Sequence, residues 1–457
     1  MAKNITFLDK AFWLTETVHS PKHVAGLQLF ELPESADENY ISHFVEELKS
    51  FSRGVEPFNC KVKQFLGYPL SLVPLEELDM EYHIKSHKVD DISDRQSLHE
   101  LAANIHEQRL DVDKPLWQYH VIESPNAKEF AVYIKIHHMY GDGITIVRWF
   151  QSAYKEQIDT ENYAPFWAVN QPKRKPKTQS KQTKILSSIV GFFHATKDFL
   201  MIWFRLLLKV LHISKNYMPV PFTGTKTMLT GQVKSGRVVT TVDLPFSTIK
   251  SISKKLNVTV NEVLLCCFDM GVNLFLEQHK HTTNKALYSN MPINLRKPDD
   301  HSSGNKIAIV PVQLAYGETD PAKRLAQIVE NHRVVIQAAK KAHPASFSYY
   351  TVAIQSFALI YELLRISSWF KPIANILVSN IPGPKETRYL KDCKVKSIYP
   401  ISAITPGGGI NITLLTYNDT ANIGMVCCDL EIKSIEPLAD YFTQALSDLE
   451  KAAETQS

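Results

Sequence analysis

The residues of this chain best suited to chemistry are two adjacent histidines, His137 and His138, with Asp142 just beyond them between Gly141 and Gly143. An imidazole titrates near neutral pH, so it can take a proton and return it, and a nearby carboxylate can steady it or pair with a distant arginine. The histidines end an apolar, β-branched and aromatic run from Phe130 to Ile136, which reads as a strand buried on both faces. A second apolar run, of helical character, starts at Ile144. Neighbouring residues on a strand point to opposite faces. One histidine therefore faces a pocket and the other packs, unless the strand has already ended. The alternative is a buried, hydrogen-bonded histidine pair with Asp142 as a turn and helix-cap residue.

The elements that must position these groups follow from length and pattern. A chain of 457 residues exceeds one ordinary core and suits two domains. The reading is an N-terminal domain over 1–168, a basic linker with an apolar helical crossover over 169–232, and a C-terminal domain over 233–457. Helical and strand patterns alternate, which gives an α/β fold. A net charge of +4 is too mild to argue for a nucleic-acid partner. The opening ten residues lack the apolar core and cleavage site of a signal peptide, so a cytoplasmic protein is expected. The six cysteines include the neighbours Cys266-Cys267 and Cys427-Cys428, which sit in apolar runs without metal-ligand spacing. They read as reduced packing residues, and no metal site is expected.

Along the chain, Ser20 to Phe30 runs from a turn into an opening strand, and Glu38 to Phe51 has helical spacing. Pro115 and Trp117 lead into a strand from Gln118 to Ile122. Gln171 to Lys184 is a linker whose Lys173, Arg174, Lys175 and Lys177 suit an anionic membrane surface. Ile185 to Ile213 is the most apolar stretch, but its charges argue against a membrane span. As a helix it has a broad apolar face that includes Trp203 and Leu207, with Asp198, Arg205, Lys209 and His212 on one stripe, which suits a membrane interface.

In the second half, Val238 to Leu244 alternates as a strand and Ser247 caps a helix to Leu256. Thr259 and Glu262 form a capping box. Leu287 to Arg296 is a strand with a polar end, and a buried Arg296 needs an anion. Helices are expected from Asp320-Pro321 to Lys341 and from Phe347 to Phe370. A strand from Ile376 stops at Asn380, before Pro382. Gly407, Gly408 and Gly409 let backbone N–H groups approach a ligand. A hairpin turns at Asn418-Asp419, and a helix from Ser434 closes the chain.

His137-His138-x-x-x-Asp142-Gly143 resembles the HHxxxDG signature of the coenzyme A-dependent acyltransferase superfamily, which includes chloramphenicol acetyltransferases and condensation domains. Pro21-Lys22-His23-Val24-Ala25-Gly26-Leu27 resembles the P-M-H-V-G-G-L opening of bacterial wax ester synthase/diacylglycerol acyltransferases, with Lys22 and Ala25 as departures. Pro115-Leu116-Trp117, Asn261-Glu262 (Asn-Asp in the family), Met291 to Arg296 and Ser379 to Pro384 resemble further motifs in the same order. The resemblance implies two chloramphenicol-acetyltransferase-like domains, mixed sheets flanked by helices, with a channel at their interface. It implies acyl transfer from long-chain acyl-CoA to a fatty alcohol or diacylglycerol, forming wax ester or triacylglycerol. His138 would be the general base, His137 its support and Asp142 the structural support of the motif, with Arg296 pairing to Asp142. Asn380, Gly408 and Asn261 are candidates for oxyanion or substrate contacts. Acyl-CoA is a cosubstrate, no bound cofactor is expected, and the partner surface is a membrane or lipid droplet. Two other readings are a carrier-protein-dependent condensation-type enzyme and a non-catalytic lipid-binding homologue.

Overall fold

Strand-forming runs pair into two six-stranded mixed sheets and a small three-stranded one, Lys3–Asn4, Tyr68–Pro74 and Cys60–Phe65, in the computed structural model. It describes residues 3–5, 7–125, 127–169, 181–214, 217–294, 307–428 and 432–455. In the first sheet the spatial order is Tyr389–Leu390, Cys393–Ile401, His23–Glu31, Glu129–His137, Trp117–Glu123 and Ile84–Lys88. The strand that ends in the histidines, Glu129–His137, thus has two antiparallel partners, His23–Glu31 and Trp117–Glu123. Helices cover the sheet, so every residue of this strand except Glu129 is buried. The second sheet runs Ile307–Gln313, Tyr288–Asn294, Ile376–Pro382, Ile410–Tyr417, Thr420–Cys428 and Arg237–Pro245.

One strand crosses the expected division of the chain. Cys393–Ile401 lies in the second half, yet it pairs antiparallel with His23–Glu31 and so completes the first sheet. Its apolar pattern makes it a strand, but pattern alone does not choose a partner. Further ties hold the halves together. Helix Arg95–Glu107 carries His99, whose Nδ1 lies 2.6 Å from Glu436 Oε1 and whose Nε2 lies 2.9 Å from Thr241 Oγ1.

Local chemistry explains most element ends. Thr259 and Glu262 make both bonds of the capping box at the start of helix Val260–Gln278. Asp320 caps helix Pro321–Lys341 through the Lys323 N–H. Asn418 and Asp419 both take positive φ, 45° and 60°, as a tight hairpin turn requires.

Three expected ends move. Helix Phe246–Lys255 starts one residue before Ser247, on Pro245, with no side-chain cap. Helix Pro344–Leu363 stops well short of Phe370, because Arg365 turns into the left-handed region at φ 57°. Strand Ile376–Pro382 continues through Pro382. It keeps pairing with Ile410–Tyr417 on one side, but its pairing to Tyr288–Asn294 ends at Leu377. Beyond that point it is an edge, where a residue without an N–H is tolerated.

The apolar stretch forms helix Lys181–Val210, and its apolar surface divides in two. Ala195, Ile202 and Leu206 are buried, and Phe199 and Trp203 pack on Tyr349 and Tyr350 of helix Pro344–Leu363. Leu200, Phe204, Leu207, Val210 and Leu211 remain exposed. The expected charged stripe is used internally. Asp198 accepts from the His343 N–H at 2.7 Å, Lys209 donates to the Tyr217 and Met218 carbonyls, and Arg205 lies over the Tyr217 ring. The linker basic residues Lys173, Arg174, Lys175 and Lys177 lie outside the described residues.

Candidate active site

The motif strand brings His137 and His138 to one end of the first sheet. His137 is the last residue of the strand and is 1% exposed. Its Nδ1 accepts the Met139 N–H at 3.1 Å, so its own proton belongs on Nε2. That Nε2 lies 3.8 Å from Glu16 Oε1, too far for a hydrogen bond. Burial pushes the His137 imidazole down to about 4; Glu16 opposes this, while His138, Arg109 and Lys22 add to it. His137 is therefore a neutral, packed imidazole.

His138 lies just beyond the strand, half-buried, with its backbone N–H bonded to the Lys22 carbonyl at 2.9 Å. Phe12, from the N-terminal helix Phe7–Leu14, stacks on its ring at 4.0 Å between centroids and 15° between planes. That helix is tied down by the Trp13 Nε1–H, which donates to the Gly67 carbonyl at 2.8 Å. The His138 Nδ1 is buried without a partner in hydrogen-bonding geometry. Burial holds the imidazole below its ordinary value; its own backbone carbonyl, Asp142 and Asp9 pull it back up, and Lys22 pushes it further down. The balance favours a neutral imidazole near pH 7, the form a general base needs.

Asp142 is the N-cap of helix Gly143–Ala153. Its Oδ1 accepts both the Thr145 N–H at 2.9 Å and the Thr145 hydroxyl at 2.6 Å. This fixes the turn between the histidines and the helix. Gly143 then lets the helix start touch the second sheet: a Cβ there would sit 2.8 Å from Ile381 Cδ1. The motif turn thus abuts the strand that carries Asn380. Asn380 Nδ2 donates to Asn261 Oδ1 at 2.8 Å, which leaves the second amide hydrogen of Asn380 for another acceptor. Both asparagines line a cavity of about 40 Å³, floored by Leu264, Phe268 and Met291, with room for roughly two or three waters.

The triple glycine behaves differently from expectation. Gly407, Gly408 and Gly409 all take positive φ, and this folds the block onto Leu229 and Gly231. The Gly408 N–H donates to the Thr405 carbonyl at 3.1 Å and the Gly409 N–H to the Leu229 carbonyl at 2.7 Å, so these donors are committed within the protein. Arg296 lies outside the described residues. Among the described residues no group of His, Cys, Asp and Glu is arranged to hold a metal ion.

Sequence reasoning missed Phe12, Glu16 and Glu362. Glu16 is buried and accepts from Arg109 Nη2 at 2.9 Å and from the Lys22 N–H at 3.1 Å. Glu362 is buried at the end of helix Pro344–Leu363, where Gln232 and Ser367 donate to it at 2.6 and 3.0 Å. Neither carboxylate has a local sequence signal, because each gains its meaning from partners far along the chain. Lys22 did carry a signal, a charge at the mouth of an apolar strand.

With this geometry in place, comparisons with known proteins are specific. Residues 5–264 match the family model described as wax ester synthase/diacylglycerol acyltransferase catalytic domain, and residues 303–450 match the WS/DGAT C-terminal domain. The O-acyltransferase WSD of Acinetobacter baylyi is 27% identical over 447 residues, covering 96% of this chain and 95% of that protein. The solved structure of the wax ester synthase/diacylglycerol acyltransferase from Marinobacter aquaeolei superposes with a TM-score of 0.76 at 22% identity, covering 99% of this chain and all of that one. The first condensation domain of the calcium-dependent antibiotic synthetase shares the fold at a TM-score of 0.61 and 12% identity, covering all of this chain and 97% of that one.

Proposed function

Because the chain belongs to the wax ester synthase/diacylglycerol acyltransferase family, we propose that it transfers a long-chain acyl group from acyl-coenzyme A to the hydroxyl of a fatty alcohol or diacylglycerol. The products are wax ester and triacylglycerol. The observation that carries this reading is His138: a neutral imidazole at the end of a rigid strand, where the motif turn meets the second sheet. A proton carried on the buried Nδ1 leaves the Nε2 lone pair for the substrate hydroxyl.

His138 Nε2 takes the hydroxyl proton as the oxygen attacks the thioester carbonyl. The tetrahedral oxyanion then collapses, the C–S bond breaks, and the imidazolium returns its proton to the departing coenzyme A thiolate. No acyl-enzyme is needed. The second N–H of Asn380 is the candidate oxyanion donor, with Asn261 fixing the amide. His137 and Asp142 hold the base in place, the first by packing and the second by capping the following helix. Arg296 as a partner of Asp142 remains part of the proposal.

Association with a membrane or lipid-droplet surface rests on the exposed stripe Leu200, Phe204, Leu207 and Leu211, one helical face spaced by three and four residues. No single described helix is long and apolar enough to cross a membrane.

The test is thiol release from palmitoyl-coenzyme A with hexadecanol or dioleoylglycerol, with the lipid products separated, for wild type and His138→Ala. Acceptor-dependent release with ester formed, reduced about 10²- to 10⁴-fold in the variant, is expected. Ester formation that survives in His138→Ala removes the base assignment. The absence of ester with both acceptors removes the reaction.

A further inference from the structure

Lys22 stands directly opposite His138. The opening strand pairs antiparallel with the motif strand through His23 and His137. The ladder runs one step further, because the His138 N–H donates to the Lys22 carbonyl at 2.9 Å. Opposed residues of an antiparallel pair project from the same face with Cβ atoms about 5 Å apart. Lysine seldom occupies such an interior position. Lys22 is 4% exposed, and its Nζ donates to Ser20 Oγ at 2.6 Å. Methionine stands at this place in the family opening that the chain resembles, so the buried cation is a feature of this chain.

We propose that Lys22 is a positioning residue whose ammonium, held beside the base by the backbone bond between Lys22 and His138, disfavours the imidazolium and extends acyl transfer to lower pH. This rests on His138 being the base. An ammonium near an imidazole penalises the imidazolium and leaves the neutral form untouched. The groups that act on His138 are few. Burial opposes its charged form most; its own backbone carbonyl, Asp142 from the capped helix and Asp9 from the N-terminal helix favour that form, and Lys22 opposes it. The neighbouring His137 is itself held neutral by burial. Lys22 is held down to about 8 by burial and by Arg237, and up by Glu362 and Glu16, so it is cationic where His138 titrates. Glu362 comes from the second half of the chain, Glu16 and Lys22 from the first, so the counter-charges come from both halves.

The test is the pH dependence of kcat/KM up to pH 9, with palmitoyl-coenzyme A and hexadecanol, for wild type, Lys22→Met, Lys22→Arg and His138→Ala, read only at pH values where circular dichroism shows the enzyme folded. Thermal unfolding confirms the fold of each. Lys22→Met conserves volume. It is expected to move the acid limb to higher pH, a loss of activity confined to acid pH that fades toward pH 8. Lys22→Arg keeps the wild-type limb. An unmoved limb in Lys22→Met, alongside an inactive His138→Ala, overturns the proposal, as does an equal shift in Lys22→Met and Lys22→Arg. An active His138→Ala instead overturns the base assignment on which the proposal rests. If Lys22→Met does not fold, Lys22→Met/Glu362→Gln removes the cation together with one of its two buried counter-charges and carries the same reading: a raised limb supports the role of Lys22 and an unchanged one refutes it.

Discussion

Acidification should unfold this protein well before its carboxylates titrate. Five histidines, His23, His83, His106, His120 and His137, are between 0% and 4% exposed, and burial is the main cause holding each below its ordinary value. His83 and His137 fall to about 4, His106 to about 3 and His120 to about 2, with His23 also well down. In the unfolded chain all five return to about 6.5. Below that pH the unfolded chain binds protons that the folded chain refuses. The stability is therefore fully present above about pH 6.5 and is lost as the pH falls toward the folded values. Between pH 7.5 and 5.5 each such group costs about 1.4 kcal/mol, so five cost on the order of 7 kcal/mol, comparable with the whole stability of a domain. Lys135, fully buried and lowered to about 7, acts with the same sign at higher pH. The assay is the thermal midpoint at pH 7.5, 6.5 and 5.5 at constant ionic strength. Proton uptake on unfolding is measured by calorimetry in two buffers of different ionisation enthalpy. A steep fall in midpoint and an uptake of about four protons at pH 5.5 are expected. A flat midpoint, or an uptake below one proton, would refute the reasoning. His120→Phe should remove about one proton from the uptake.

Two further expectations concern the site and the surface. Phe12→Ala uncovers one face of His138, which relieves the burial that lowers it, so the acid limb of turnover should rise. Thiol release without acceptor should also increase as water enters, and a limb identical to wild type would show that Phe12 does not shield the base. Leu207→Asp should release the protein from liposomes of anionic and zwitterionic lipid while leaving its thermal midpoint close to wild type, because Leu207 is 52% exposed. Trp203→Asp should instead lower the midpoint, because Trp203 packs on Tyr350. Unchanged liposome partitioning of Leu207→Asp argues against that face.

The motif turn was legible because its chemistry is local. The apolar run forms a strand that ends at His137, and an Asp between glycines caps the helix that follows. The capping box at Thr259 and the hairpin at Asn418-Asp419 are read the same way, since the signal and the structure lie within four residues of each other. The order of motifs along the chain likewise carries the family resemblance in sequence alone.

Tertiary structure decided everything that depends on which surfaces meet. Cys393–Ile401 is a strand by pattern, but its place in the first sheet is set by the partner it finds there. The helix Lys181–Val210 has a broad apolar face, so composition alone could not say that Trp203 faces protein and Phe204 faces outward. The triple glycine offers donors in sequence, and the fold gives at least two of them to carbonyls. Lys22 reads as a departure from a motif until the strand register sets it opposite His138. Propensity and capping act through neighbours in the chain, whereas partner choice and buried charge act through space, so the sequence determined the parts and the chemistry of the turn while only packing determined what surrounds the base.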